Sequence, residues 1–92
     1  MTILLTSEIQ GQTQQSYDYM IEMLREPLKQ ADGFVMHTAH PIEGGWRIVE
    51  VWKSKDQLDR FFAKYVAPNI PPGVQPKIEV KSLHSLVTPE MG

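Results

Sequence analysis

Hydrophobic positions along this chain follow two periods, and the places where the period changes divide it into six elements. Ile3, Leu5 and Ile9 alternate with Leu4, Thr6 and Glu8, which predicts a strand over residues 2–10 that Gly11 ends. From Thr13 the spacing becomes helical: Tyr17, Met20, Ile21, Leu24 and Leu28 form one apolar stripe. Pro27 falls inside that stripe. It lacks a backbone donor and crowds the preceding turn, so a kink or break is expected near Arg25–Glu26. Asp32-Gly33 supplies a left-handed stop.

Alternation returns over residues 34–40, with Phe34, Met36, Thr38 and His40 opposed to Val35, His37 and Ala39. Pro41 and Gly44-Gly45 predict a hairpin loop, followed by a strand from Trp46 to about Lys53. Ser54 with Gln57 three residues on reads as a capping box, opening a helix whose stripe is Leu58, Phe61, Phe62, Tyr65 and Val66. Pro68, Pro71, Pro72 and Pro76 then make regular structure improbable up to Lys77. They predict a stiff connection able to wall a pocket or meet a partner chain. A last strand is expected over residues 78–87, with Ile78, Val80, Ser82, His84 and Leu86 on one side, and a frayed tail over residues 88–92.

The order β-α-β-β-α-β is the ferredoxin-like arrangement of an α+β domain, two helices on one face of a four-stranded antiparallel sheet. The whole chain, residues 1–92, is one domain. Its central strand is apolar on both faces. Trp46, Ile48 and Trp52 point one way with Glu50 among them; Val49 and Val51 point the other with Arg47. A half-solvated sheet is polar on one side, so the second face needs a cover that so short a chain lacks. The expected cover is a second copy: a homodimer joined through the sheet face, forming an α+β barrel.

Composition narrows the function by exclusion. A net charge of −2 without any lysine or arginine cluster gives no footprint for nucleic acid. The lack of cysteine removes disulfides, thiolate metal sites and cysteine nucleophiles together. No stretch approaches a membrane span, and the apolar Met1–Leu5 lacks the basic lead of a signal peptide, so a cytoplasmic location is expected.

Gly33, Gly44-Gly45-Trp46, Glu50-Val51-Trp52-Lys53-Ser54, Leu58, Phe61-Phe62 and Pro68 together resemble the antibiotic biosynthesis monooxygenase-like domains of the dimeric α+β-barrel proteins. The motif spans residues 33–68, and the element order spans nearly the whole chain. The resemblance implies a ligand pocket between helices and sheet. Among the activities it implies are cofactor-independent oxidation of polycyclic phenols and quinols, haem degradation and isomerisation. Haem-degrading members use an asparagine in the first strand and a histidine in the second helix. This chain has no asparagine in the first strand, and Tyr65 stands at the helical position. Trp52 matches the tryptophan of the polyketide-oxidising members, but the only asparagine, Asn69, lies in the proline-rich connection.

On this reading a phenol, hydroquinone or anthrone occupies an apolar pocket, and the activity is a monooxygenation that needs no cofactor. His37, His84 or Glu50 is the base, while Trp52, Tyr65, Trp46 and Met36 position the ring. Each residue also has an ordinary structural role: aromatics and methionine fill cores, and Glu50 would pair with a cation. His37 and His40 point to opposite faces of one strand and cannot share a metal, so no metal site is expected. Two further functions stay open: a dimeric small-ligand-binding or stress-response protein without turnover, and an isomerase or decarboxylase using the same base.

Overall fold

The computed structural model describes residues 1–89; the last three positions of the expected frayed tail, 90–92, lie outside the described residues. Strand β1 (Ile3–Gln10) leads to helix α1 (Gln14–Gln30), strands β2 (Phe34–Ile42) and β3 (Gly45–Trp52), helix α2 (Lys55–Phe61) and strand β4 (Lys77–Ser82). The four strands form one sheet in the order β2-β3-β1-β4, every neighbouring pair antiparallel. This is the ferredoxin-like α+β architecture expected from the sequence.

Local chemistry sets most boundaries. Thr13 caps α1 reciprocally with Ser16, each side chain bonding the other's backbone N–H. Gly33, at φ +84°, turns the chain into β2, and its carbonyl accepts from the Lys53 N–H at 2.7 Å. A β-carbon there would also meet the end of the Gln57 side chain, which would have to move, while the positive φ itself disfavours any residue but glycine. Ser54 caps α2 by accepting from the Gln57 N–H, while its hydroxyl donates to Gln57 Oε1 at 3.0 Å. That differs from the full capping box expected, because the glutamine amide meets the serine hydroxyl rather than its backbone.

Three expectations are corrected. Helix α1 does not break at Pro27 but continues to Gln30, with Leu24 and Leu28 on either side of it both buried and holding that half of the helix on the core. The segment after α2 is partly regular: a π-helical turn (Phe62–Val66) and a 3₁₀ turn (Ala67–Asn69) precede the irregular proline stretch. Strand β4 ends at Ser82, five residues short of the expected end. The chain leaves the sheet after Leu83 bonds back to the Thr2 carbonyl.

Register assigns the faces. Ile3, Leu5, Ser7 and Ile9 of β1 stand opposite Trp52, Glu50, Ile48 and Trp46 of β3, and all look toward the helices. There Leu24, Leu28, Trp52, Leu58 and Phe61 close the core with Ile3 and Leu5. The reverse face carries rows running Met36-Val51-Leu4-Lys81, then Thr38-Val49-Thr6-Glu79, then His40-Arg47-Glu8-Lys77. It is apolar at one end and charged at the other, where Arg47 grips Glu8 Oε2 through Nε and Nη2 at 2.8 and 2.6 Å. A bulge between Phe34 and Met36 puts Phe34 on the helix side together with His37, instead of with Met36 as simple alternation predicts.

Candidate functional site

On the helix side of the sheet a cavity of about 140 Å³ opens between the strands, α1, α2 and the proline segment. Leu5, Ile48, Met20, Phe61, Tyr65 and Ile78 give it an apolar wall, and Val66, Asn69, Ile70, Pro71, Val74 and Pro76 close one side. The stiff connection thus walls a pocket, as its prolines predicted. The π-helical turn widens the helix where Phe62, Tyr65 and Val66 meet the cavity, a feature often found at functional sites.

Against this apolar lining stand His37 and Glu50, which the β2–β3 register makes direct cross-strand neighbours. His37 Nδ1 and Glu50 Oε2 are 2.5 Å apart, and the Trp52 indole N–H donates to Glu50 Oε1 at 2.9 Å. Tyr17, from the second turn of α1, places its hydroxyl 2.6 Å from His37 Nε2. Four side chains therefore form one hydrogen-bonded chain, Tyr17–His37–Glu50–Trp52. The carboxylate accepts only, so His37 must donate from Nδ1. In the neutral imidazole Nε2 is then a lone pair that accepts from the Tyr17 O–H. A carboxylate behind Nδ1 fixes the ring and supports charge on it, the arrangement that orients a general base.

Burial pushes the Tyr17 phenol up from its ordinary range, with the nearby Glu50 and Asp18 charges adding to the rise and Arg25 opposing it. The phenol thus stays protonated and acts as donor. Tyr17 also stacks between His37 and Trp46, with ring centroids at 6.0 and 5.8 Å. Sequence reasoning placed Tyr17 only in the stripe of α1. Its signal was the polar tip it carries at the partly buried end of that stripe.

The structure sorts the expected site residues. His37, Glu50 and Tyr65 all line the cavity. Trp52 is fully buried between Phe34 and Phe61 and holds Glu50, so it touches the site only through that bond, not as a ring platform. Trp46 packs on Tyr17 outside the cavity lining, and its indole N–H is buried without a partner. Met36 lies on the reverse face with Thr38 and His40, as unbroken alternation from His37 requires, and it does not wall the pocket. His84 is exposed beyond the end of β4 and does not reach the cavity. Tyr65 packs its ring on Phe61 at 5.0 Å while lining the cavity. Among the described residues no group of three or more His, Asp or Glu is arranged to hold a metal ion. No helix among them is long and apolar enough to cross a membrane.

Fold and site together define a ferredoxin-like α+β domain with a helix-to-sheet cavity carrying one oriented imidazole. No family model and no curated protein matches the sequence. Solved structures share the fold. A point mutant of SnoaB, a cofactor-independent oxygenase from Streptomyces nogalater, is 12% identical, covers 94% of this chain and 96% of its own, and superposes with a TM-score of 0.66. The haem degrader MhuD from Mycobacterium tuberculosis, solved with two haems in its active site, is 11% identical, with 94% and 99% covered and a TM-score of 0.65. A conserved protein from Methanosarcina mazei is 16% identical, with 88% and 91% covered and a TM-score of 0.70.

Proposed function

We propose that this protein is a cofactor-independent monooxygenase of small phenols or hydroquinones, with His37 as base and Glu50 as the group that orients it. The observation that carries the reading is an oriented imidazole in the wall of an otherwise apolar cavity. Size selects among the ring systems considered. A cavity of about 150 Å³ admits a benzene ring, so the 140 Å³ here suits one aromatic ring and not the three of an anthrone.

In the reaction, His37 Nε2 takes the phenolic proton of a hydroquinone, and Glu50 stabilises the imidazolium so formed. The hydroquinone anion passes one electron to dioxygen, the semiquinone and superoxide combine as a ring peroxide anion, and the His37 imidazolium returns its proton to give the hydroperoxide. Loss of water gives the hydroxyquinone. One oxygen atom enters the ring and the other leaves as water, so no external reductant is consumed. Apolar walls favour this sequence by excluding solvent from the anion and the peroxide. The homodimer belongs to the same reading: on the reverse face Met36 is exposed and Leu4 and Val49 are only half-buried, apolar surface that a second copy would cover. So does the cytoplasmic location expected from the sequence.

The test is oxygen uptake with a panel of single-ring hydroquinones, comparing the wild type with His37→Gln. Uptake that saturates with substrate and falls at least about a hundredfold in the variant is the expected result, the scale of a lost general base. A second reading, a binder without turnover, draws on the Tyr17–His37 bond, which leaves Nε2 already satisfied. Saturable binding without uptake by any panel member would favour it.

A further inference from the structure

The imidazole that lines the cavity has its one free lone pair occupied by a residue of the protein itself. We propose that Tyr17 is a gate on His37: its phenol stands in for the ligand's phenol on Nε2 and must be displaced before a hydroxyl-bearing ligand reaches that nitrogen. The inference deepens the reading of His37 as the polar point of the cavity and rests on it.

Three observations carry the gate. The Tyr17 hydroxyl is 2.6 Å from Nε2, while Glu50 holds Nδ1, so neither ring nitrogen is open. Tyr17 is absent from the cavity lining although His37 belongs to it, so the phenol reaches the imidazole from outside the pocket. The fully buried positions of α1, Leu24 and Leu28, lie in its second half; Tyr17, Met20 and Ile21 in the first half are only partly buried. That end of the helix can release a side chain without opening the core.

The exchange is nearly balanced for the right ligand and costly for the wrong one. A ligand phenol that replaces Tyr17 makes the same O–H···N bond that is broken. An amine donor or a bulky alcohol must break that bond and replaces it poorly, whereas a ring without a hydroxyl enters the cavity and leaves the Tyr17 bond in place. Tyr17 is thus a positioning residue that competes with a ligand hydroxyl for Nε2 and so lowers the preference for phenols over rings without one, and it takes no part in electron transfer.

The experiment measures binding of para-fluorophenol and its methyl isostere para-fluorotoluene by fluorine NMR, in the wild type and in Tyr17→Phe. The gate predicts that Tyr17→Phe binds the phenol roughly tenfold more tightly, the factor of one ordinary hydrogen bond, with toluene affinity unchanged. Equal phenol-to-toluene selectivity in the two proteins would overturn the gate while leaving His37 as the polar point. Absence of phenol binding to both would overturn the gate together with the function it rests on. Should Tyr17→Phe fail to fold, the wild type still answers through NMR of its imidazole nitrogens and tyrosine hydroxyls. Saturating phenol must leave Nε2 hydrogen-bonded and shift the Tyr17 hydroxyl; an undisturbed Tyr17 signal at saturation sinks the proposal.

Discussion

Replacing Glu50 with glutamine changes one atom type at the centre of the polar chain, and its consequence follows from donor counting. The carboxylate accepts from Trp52 Nε1 at 2.9 Å and from His37 Nδ1 at 2.5 Å. Glutamine offers one acceptor and one donor group. If its oxygen stays on the Trp52 indole, its NH₂ faces His37 Nδ1, and two donors collide. The chain heals only if His37 moves its proton to Nε2, which then donates to the Tyr17 oxygen. Every bond is kept, but Nε2 is no longer a base. A charge-assisted bond contributes roughly 1.5–3 kcal/mol and a neutral one roughly 0.5–1.5. Part of that difference is offset because no buried charge remains to be desolvated. The expected net loss is about 1–2 kcal/mol, or roughly 5–10 °C in Tm for a domain of this size. The assay is a thermal melt beside ring-nitrogen NMR of His37. A proton that stays on Nδ1 in Glu50→Gln, with unchanged stability, would refute the chain as drawn.

Two further outcomes are expected. The Tyr17 phenol is raised in the folded state above its ordinary value of 10.0. Its contribution to stability is therefore complete below that value and is lost as pH rises through the higher folded value. Denaturant titrations across the alkaline range should show a steeper fall for wild type than for Tyr17→Phe; parallel curves would mean that the phenol is not held protonated by the fold. On the reverse face, Val49→Asp puts a charge between Thr38 and Thr6 in the middle of the sheet. Sedimentation should show wild-type dimers and variant monomers, with the loss of association exceeding about a hundredfold if that carboxylate must be buried unpaired. A monomeric wild type would remove the dimer from the proposed function.

The sequence determined what depends on neighbours along the chain. Alternation placed the strands, the stripe of Tyr17 to Leu28 placed α1, and Ser54 and Gly33 marked where elements start and stop, because caps and positive φ are satisfied within a few residues. Even the pocket wall was legible, since clustered prolines stiffen a loop wherever it lies. Local pattern failed where packing outvoted it. Pro27 is carried inside a helix by the leucines around it, and β4 is shorter than its alternation. The site itself belonged to the tertiary structure. Tyr17, His37 and Glu50 are separated by 20 and 13 residues, and strand register, not composition, makes them neighbours. Because side chains change face with every residue, the single bulge between Phe34 and Met36 decided that Phe34 joins Trp52 on the helix side. Met36 keeps the reverse face with Thr38 and His40, and cross-strand pairing puts His37 beside Glu50. A bulge is a property of two paired strands, so no reading of one strand alone could have found it.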